Sequence, residues 1–325
     1  MADLDLDDLP DPDLDSGRKV AFRASRVLRP AGALGRLDRL AVWLAEWQRT
    51  ERPSVERPVA LVFFGDHGVA EDDVSAYPAS ITAAMLSAVE SGVATVSAMA
   101  DALGVGLRSV DVGVGRPTGN IRVEPALTPE RFTACLEAGR QAVRSVDADL
   151  LVLGEMGIGN TTAAAALCAS MFGPPIESWV GPGSGLDESG WERKLSVVTD
   201  AVGRVGQTTP VEAMRELGGS ELVALAGAAL EARRRSIPIL LDGFVATAAV
   251  MPLDVARPGA LDHCWPGHLS PEPGHRLLLD RLGKPPILAL EMRLGEASGA
   301  LASLPLVRLA VASVLEVATF DEWGV

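Results

Sequence analysis

Four short apolar runs, Val59 to Phe64, Leu107 to Val112, Leu150 to Leu153 and Ile237 to Leu241, constrain the fold of this chain more than any other feature. Each has the length of a fully buried strand, and stretches with helical spacing lie between them. Strand and helix in alternation predict an α/β fold with a parallel sheet and right-handed crossovers. The runs end in Gly65-Asp66-His67-Gly68, Asp111-Val112-Gly113, Gly154-Glu155-Met156-Gly157 and Asp242-Gly243. Glycines and polar groups therefore gather at the carboxyl ends of the strands, where open α/β sheets bind ligands.

The two ends of the chain read differently. From Lys19 to Gln48 apolar residues recur at helical spacing, split by the turn signal Arg29-Pro30-Ala31-Gly32, and a Pro-broken linker follows near Arg52 to Arg57. Beyond Pro271 the segments Pro273 to Leu282 and Leu304 to Thr319 again read as helices. Residues 17–57 and 271–325 are thus expected to form a smaller helical domain beside a large α/β substrate-binding domain at 58–270. The 325 residues suffice for that division. Residues 1–16 hold seven aspartates and no Lys or Arg, which predicts a disordered acidic leader.

Lys and Arg number 29 against 43 Asp and Glu, so the formal charge is −14, and −7 without the leader's seven aspartates. An acidic body with no basic stripe argues against nucleic-acid binding. No stretch of about 18 apolar residues runs without a charge, and the leader lacks an apolar h-region. Cys135, Cys168 and Cys264 are widely spaced and odd in number, as in a reducing compartment. A soluble, cytoplasmic protein with no membrane anchor is the resulting expectation.

The strongest local signal is Gly154-Glu155-Met156-Gly157-Ile158-Gly159-Asn160-Thr161-Thr162, after a strand and before an Ala-rich helix. Glycines let a ligand approach the backbone, and the free N–H groups of a helix start with adjacent Thr hydroxyls suit a phosphate. The pattern is neither a Walker A loop, since Asn160 stands where Lys is required, nor a dinucleotide fingerprint, since Thr162 replaces the third glycine. A structural turn capped by threonines fits the same residues. A second cluster, Gly181-Pro182-Gly183-Ser184-Gly185, leads to a helix carrying Lys194, one of only three lysines. Lys194 is placed either to put a charge on that phosphate or simply on a solvated helix face.

Glu296 lies between glycines in Met292-Arg293-Leu294-Gly295-Glu296-Ala297-Ser298-Gly299. Partial burial raises a carboxylate's pKa and suits it to accept a proton near neutrality; a surface glutamate at a helix start is the alternative. His67 beside Asp66 is either a ligand-orienting residue or a hydrogen-bonded turn residue. His263, Cys264, His268 and His275 fit no zinc spacing, so no metal site is expected. No Gly-x-Ser-x-Gly elbow is present.

With these segments in view, the chain resembles the nicotinate-nucleotide:dimethylbenzimidazole phosphoribosyltransferase family. The resemblance is carried by Arg29 to Leu37, Gly65 to Val69, Val74 to Pro78, Gly154 to Thr162, Asp242 to Phe244, Glu272 to His275, Met292 to Glu296 and Ala318 to Glu322, in family order. It implies a Rossmann-like, doubly wound parallel sheet, a smaller helical domain from both chain ends, a homodimer, and no metal or organic cofactor. The implied reaction moves phosphoribose from nicotinate mononucleotide to a ring nitrogen of 5,6-dimethylbenzimidazole, giving α-ribazole 5′-phosphate and nicotinate. Glu296 matches the family's general base. Glu155, Gly157, Ile158, Gly159, Asn160, Thr161, Gly183, Lys194 and Arg293 fall where the donor binds, and the other matching stretches add Asp66, His67, Ser75, Tyr77 and Asp242. Ala79 and Ala84 stand where such enzymes commonly have glutamines, so another acceptor, such as a different benzimidazole, a purine or a phenol, is also compatible, as is a non-catalytic nucleotide-binding protein.

Overall fold

The computed structural model describes residues 4–324. Among them five strands, β1 (Pro58–Gly65), β2 (Gly106–Gly113), β3 (Leu150–Met156), β4 (Ile239–Leu241) and β5 (Cys264–Pro266), form one sheet in the order β2-β1-β3-β4-β5. Every pairing is parallel. The apolar runs became strands because both of their faces are covered: β1 and β3 are buried almost throughout, whereas β2, at the sheet edge, is largely half-exposed. β5 escapes the sequence pattern because three residues ending in proline carry no periodicity.

Among the described residues thirteen α-helices cover the two faces. In chain order they are α1 (Leu14–Ala24), α2 (Arg36–Gln48), α3 (Ile81–Glu90), α4 (Thr95–Leu103), α5 (Pro129–Arg144), α6 (Asn160–Phe172) and α7 (Glu188–Val205). Then come α8 (Pro210–Leu217), α9 (Ser220–Arg234), α10 (Phe244–Ala256), α11 (Pro273–Leu282), α12 (Ser298–Leu315) and α13 (Phe320–Trp323). Leu61, Phe63, Leu151, Leu153, Ile239 and Leu241 point to one face and join a core with α5 to α11. Ala60, Val62, Phe64, Leu150, Val152 and Leu240 point to the other and join α1, α2, α4 and α12, with Val89 from the end of α3. This strict alternation lets one sheet serve two cores.

Two expectations about organisation are corrected. The acidic stretch over residues 4–16 is not a disordered leader: Leu4 and Leu9 are buried, and α1 already starts at Leu14, capped by Asp13 accepting from the N–H groups of Asp15 and Ser16. The leucines interleaved with the aspartates give the segment an apolar side to bury, which net charge alone conceals. Residues 1–3 lie outside the described residues. The helical domain is also divided differently, since α11 packs on the α10 face while α3 and α4, from the presumed large domain, share the core of the chain ends.

By length and composition, Ile81–Leu103 and Ser298–Leu315 would each suffice to cross a membrane. The first is interrupted at residues 91–94 between α3 and α4, and the second is the helix whose Leu301, Leu304 and Val307 fill the second core.

Candidate active site

A cavity of about 760 Å³ opens over the carboxyl ends of β3 and β4. α6 and α10 begin at its wall with Gly159 and Gly243 as their N-cap residues, and α12 begins two residues after Glu296. Two helix starts at one cavity, those of α6 and α10, favour an anionic guest. The sheet order reverses between β1 and β3, one strand away from the cavity, and Asp66 and His67 follow directly on β1 there.

One side of the wall is the glycine loop. Its Glu155, Gly157, Ile158, Gly159, Asn160 and Thr161 all line the cavity. The Ile158 N–H donates to Thr82 Oγ1 at 3.2 Å and Asn160 donates from its side chain to the Glu155 carboxylate, so the loop is tied down on both flanks. Gly159 has φ +95°, open to glycine and costly for other residues. Burial first, then the charges of Asp242 and Glu221, push the Glu155 carboxyl well above the usual range.

Gly183 and Ser184 face the glycine loop from the second cluster. Behind them Lys194 is fully buried, donating from Nζ to Thr161 Oγ1 at 2.8 Å and to the Gly181 carbonyl at 3.0 Å. A Cβ on Gly183 would come within 3.4 Å of that ammonium, so Gly183 is the thin partition between charge and cavity. Burial lowers the Lys194 pKa to about 8, with Glu272 acting in the opposite direction. The solvated-face alternative for this lysine is thereby removed.

Glu296 enters from the segment before α12. Gly295, Glu296 and Ala297 have φ of +82°, +58° and +66°, a run of left-handed residues of which the last two cost about 1 kcal/mol or more each. The turn is held against β3: Glu296 N–H donates to the Glu155 carbonyl at 3.0 Å. Gly154 presses so closely that a Cβ there would lie 2.1 Å from Ala297 N. Glu296 is 2% exposed, its Oε2 has no hydrogen-bond partner, and the side chain lines the cavity. Burial, followed by the Asp242 charge, raises its pKa to about 7. A surface glutamate at a helix start is therefore ruled out.

Ser75, Tyr77 and Arg293 also line the cavity, beside Ile81, Met85 and Leu294. The departures Ala79 and Ala84 are exposed residues outside this lining. Asp66, His67 and Asp242 depart from the expectation of substrate contact and stand behind the wall. Asp66 accepts from Gly115 N–H at 2.7 Å, and His67 Nε2 meets Glu221 Oε1 at 2.5 Å with both side chains wholly buried. Three glycines make room for the latter pair: added Cβ atoms on Gly65, Gly157 and Gly219 would all lie within 3 Å of its side chains. Asp242 has no exposure and turns to the start of α12, where Ala300 N–H donates to it at 3.0 Å.

Sequence reasoning missed Phe244, Val245, Ser270 and Glu272 in the lining and saw His268 only as a candidate metal ligand. The start of α10 after Asp242-Gly243 was the available signal, since a helix opening directly after a strand places its first residues at the ligand side. His263 and Cys264 take no part: His263 Nε2 bonds the Ala229 carbonyl at 2.9 Å and its ring packs on Trp47.

Comparison with known proteins adds to this geometry. A family model described as phosphoribosyltransferase matches residues 9–325. A nicotinate-nucleotide–dimethylbenzimidazole phosphoribosyltransferase of Methylorubrum extorquens is 48% identical over 309 residues, covering 94% of this chain and 90% of that protein. One from Allorhizobium ampelinum is 45% identical over 98% of this chain and 94% of its own length. The crystal structure of CobT from Thermus thermophilus superposes with a TM-score of 0.91 at 40% identity, covering 96% of this chain and 99% of that one.

Proposed function

The chain belongs to the nicotinate-nucleotide–dimethylbenzimidazole phosphoribosyltransferase family, and from that premise we propose that it transfers phosphoribose from nicotinate mononucleotide to 5,6-dimethylbenzimidazole in cobalamin synthesis, with Glu296 as general base. The single observation that carries this reading is geometric: the buried carboxylate of Glu296, its Oε2 without a hydrogen-bond partner, lines the same cavity as a glycine loop at a helix start. The sugar phosphate is held by Gly157 to Thr161 and Gly183, with Lys194 supplying positive charge from behind the partition. Nicotinate leaves from a positively charged pyridinium, so no acid is required to expel it.

In the transfer the C1′–nicotinate bond breaks and a C1′–nitrogen bond to the benzimidazole forms, while the proton on the attacking ring system passes to Glu296 and then to solvent. Attack from the face opposite nicotinate inverts the anomeric carbon and gives the α-riboside. Ile81, Met85 and Leu294 offer an apolar wall suited to a flat dimethylated ring. Tyr77 and Leu294 are exposed at this mouth, which supports association as a homodimer, to be tested by the solution mass.

Incubation with nicotinate mononucleotide and a panel of benzimidazoles, purines and phenols, read as nicotinate release, tests the assignment. Release is expected with dimethylbenzimidazole and slower with the more polar purines. Silence across the panel from folded protein would overturn the transferase reading, and a preference for purines would overturn the acceptor.

A further inference from the structure

α12 lacks a cap of its own. Its N-cap residue, Ala297, is left-handed and offers no side-chain acceptor for the free N–H groups of the first turn. The acceptor arrives from the end of β4, where Asp242 takes the Ala300 N–H at 3.0 Å; the Gly299 and Ala297 N–H groups also act on this carboxylate. His268 is wedged over Gly243 and Gly299, and its Nε2 lies 3.7 Å from Asp242 Oδ1. On the opposite side Glu155 and Gly154 clamp the same turn. Asp242 touches no part of the cavity, yet it holds the residues immediately after Glu296.

We propose that Asp242 is a positioning residue of the transfer: by capping α12 from the end of β4 it fixes the left-handed turn that aims Glu296 into the cavity. The inference rests on Glu296 being the base. Its charge also acts on that base, since Asp242 stands second only to burial among the causes that raise the Glu296 pKa. The titratable and charged groups facing this cluster are Glu155 from β3 with Glu221 behind it, His268 and its ring neighbour His275, and Arg293 on the segment of Glu296 itself. Removing one carboxylate from the cluster eases ionisation of those that remain.

D242N preserves shape and an acceptor for Ala300 but not the charge, so the low-pH limb of kcat should move down by about one pH unit. The KM for nicotinate mononucleotide should stay within about threefold. D242A removes the acceptor that caps α12 as well as the charge, so its limb should shift in the same direction and its kcat should fall about tenfold below that of D242N at a similar KM; equal kcat in the two variants would overturn the capping role. An unmoved limb in both variants, or kcat and KM lost together, would overturn the proposal. Failure of both to fold would overturn it too, because it would assign Asp242 to the fold and not to the base. E296Q run alongside separates the premises: an inactive E296Q with an unmoved D242N limb removes only the role of Asp242, whereas an active E296Q removes the base.

Discussion

Replacing Glu296 with glutamine is expected to lower kcat by about three decades while leaving the KM for nicotinate mononucleotide within about threefold. The amide is nearly isosteric and keeps the cavity filled, so what disappears is proton acceptance. One general base typically contributes about two to four decades, and the remainder of the rate comes from aligning donor and acceptor, worth up to about 7 to 11 kcal/mol in the best cases. Residual turnover above the uncatalysed reaction is therefore expected in the variant. Wild-type turnover in a folded E296Q protein, measured as nicotinate release at saturating substrates, would remove Glu296 from the chemistry.

The profile of kcat/KM against pH is expected to be a bell with limbs near 7 and near 8, falling about tenfold per unit outside them. Glu296 must be ionised to accept a proton, and its raised pKa of about 7 makes the rate climb as pH rises through that value. In the proposed site Lys194 attracts the phosphate when protonated, so its lowered pKa of about 8 is expected to make the rate decline above that value. The donor phosphate itself titrates near about 6, so the limb belonging to the protein is the one that moves in D242N. Lys194→Met should abolish the upper limb and raise the donor KM at neutral pH. A flat profile from about pH 6 to 9 would contradict both assignments.

The glycine loop, the second glycine cluster and Glu296 were legible in the sequence because each breaks an otherwise apolar stretch at a strand end or helix start. The parallel sheet was legible for a related reason, since strands buried on both faces read as uninterrupted apolar runs. What the sequence did not disclose depends on contacts between distant segments. By sequence His67 is either a ligand-orienting residue or a hydrogen-bonded turn residue; in the fold Gly65, Gly157 and Gly219 make a pocket for it with Glu221, and no local pattern records that. Asp242 likewise looked like a strand-end binding residue, whereas its partner, Ala300, is 58 positions away. Over the acidic N-terminal stretch, composition averages away Leu4 and Leu9, the buried residues that anchor it.

A crystal structure of E296Q holding nicotinate mononucleotide and dimethylbenzimidazole together would show whether Glu296 faces the reacting nitrogen. The phosphate is expected against Gly157 to Thr161 and Gly183, with a benzimidazole nitrogen within about 3 Å of the side chain at position 296 and on the far side of C1′ from nicotinate. A phosphate bound away from that loop, or an acceptor nitrogen that position 296 does not reach, would contradict this arrangement.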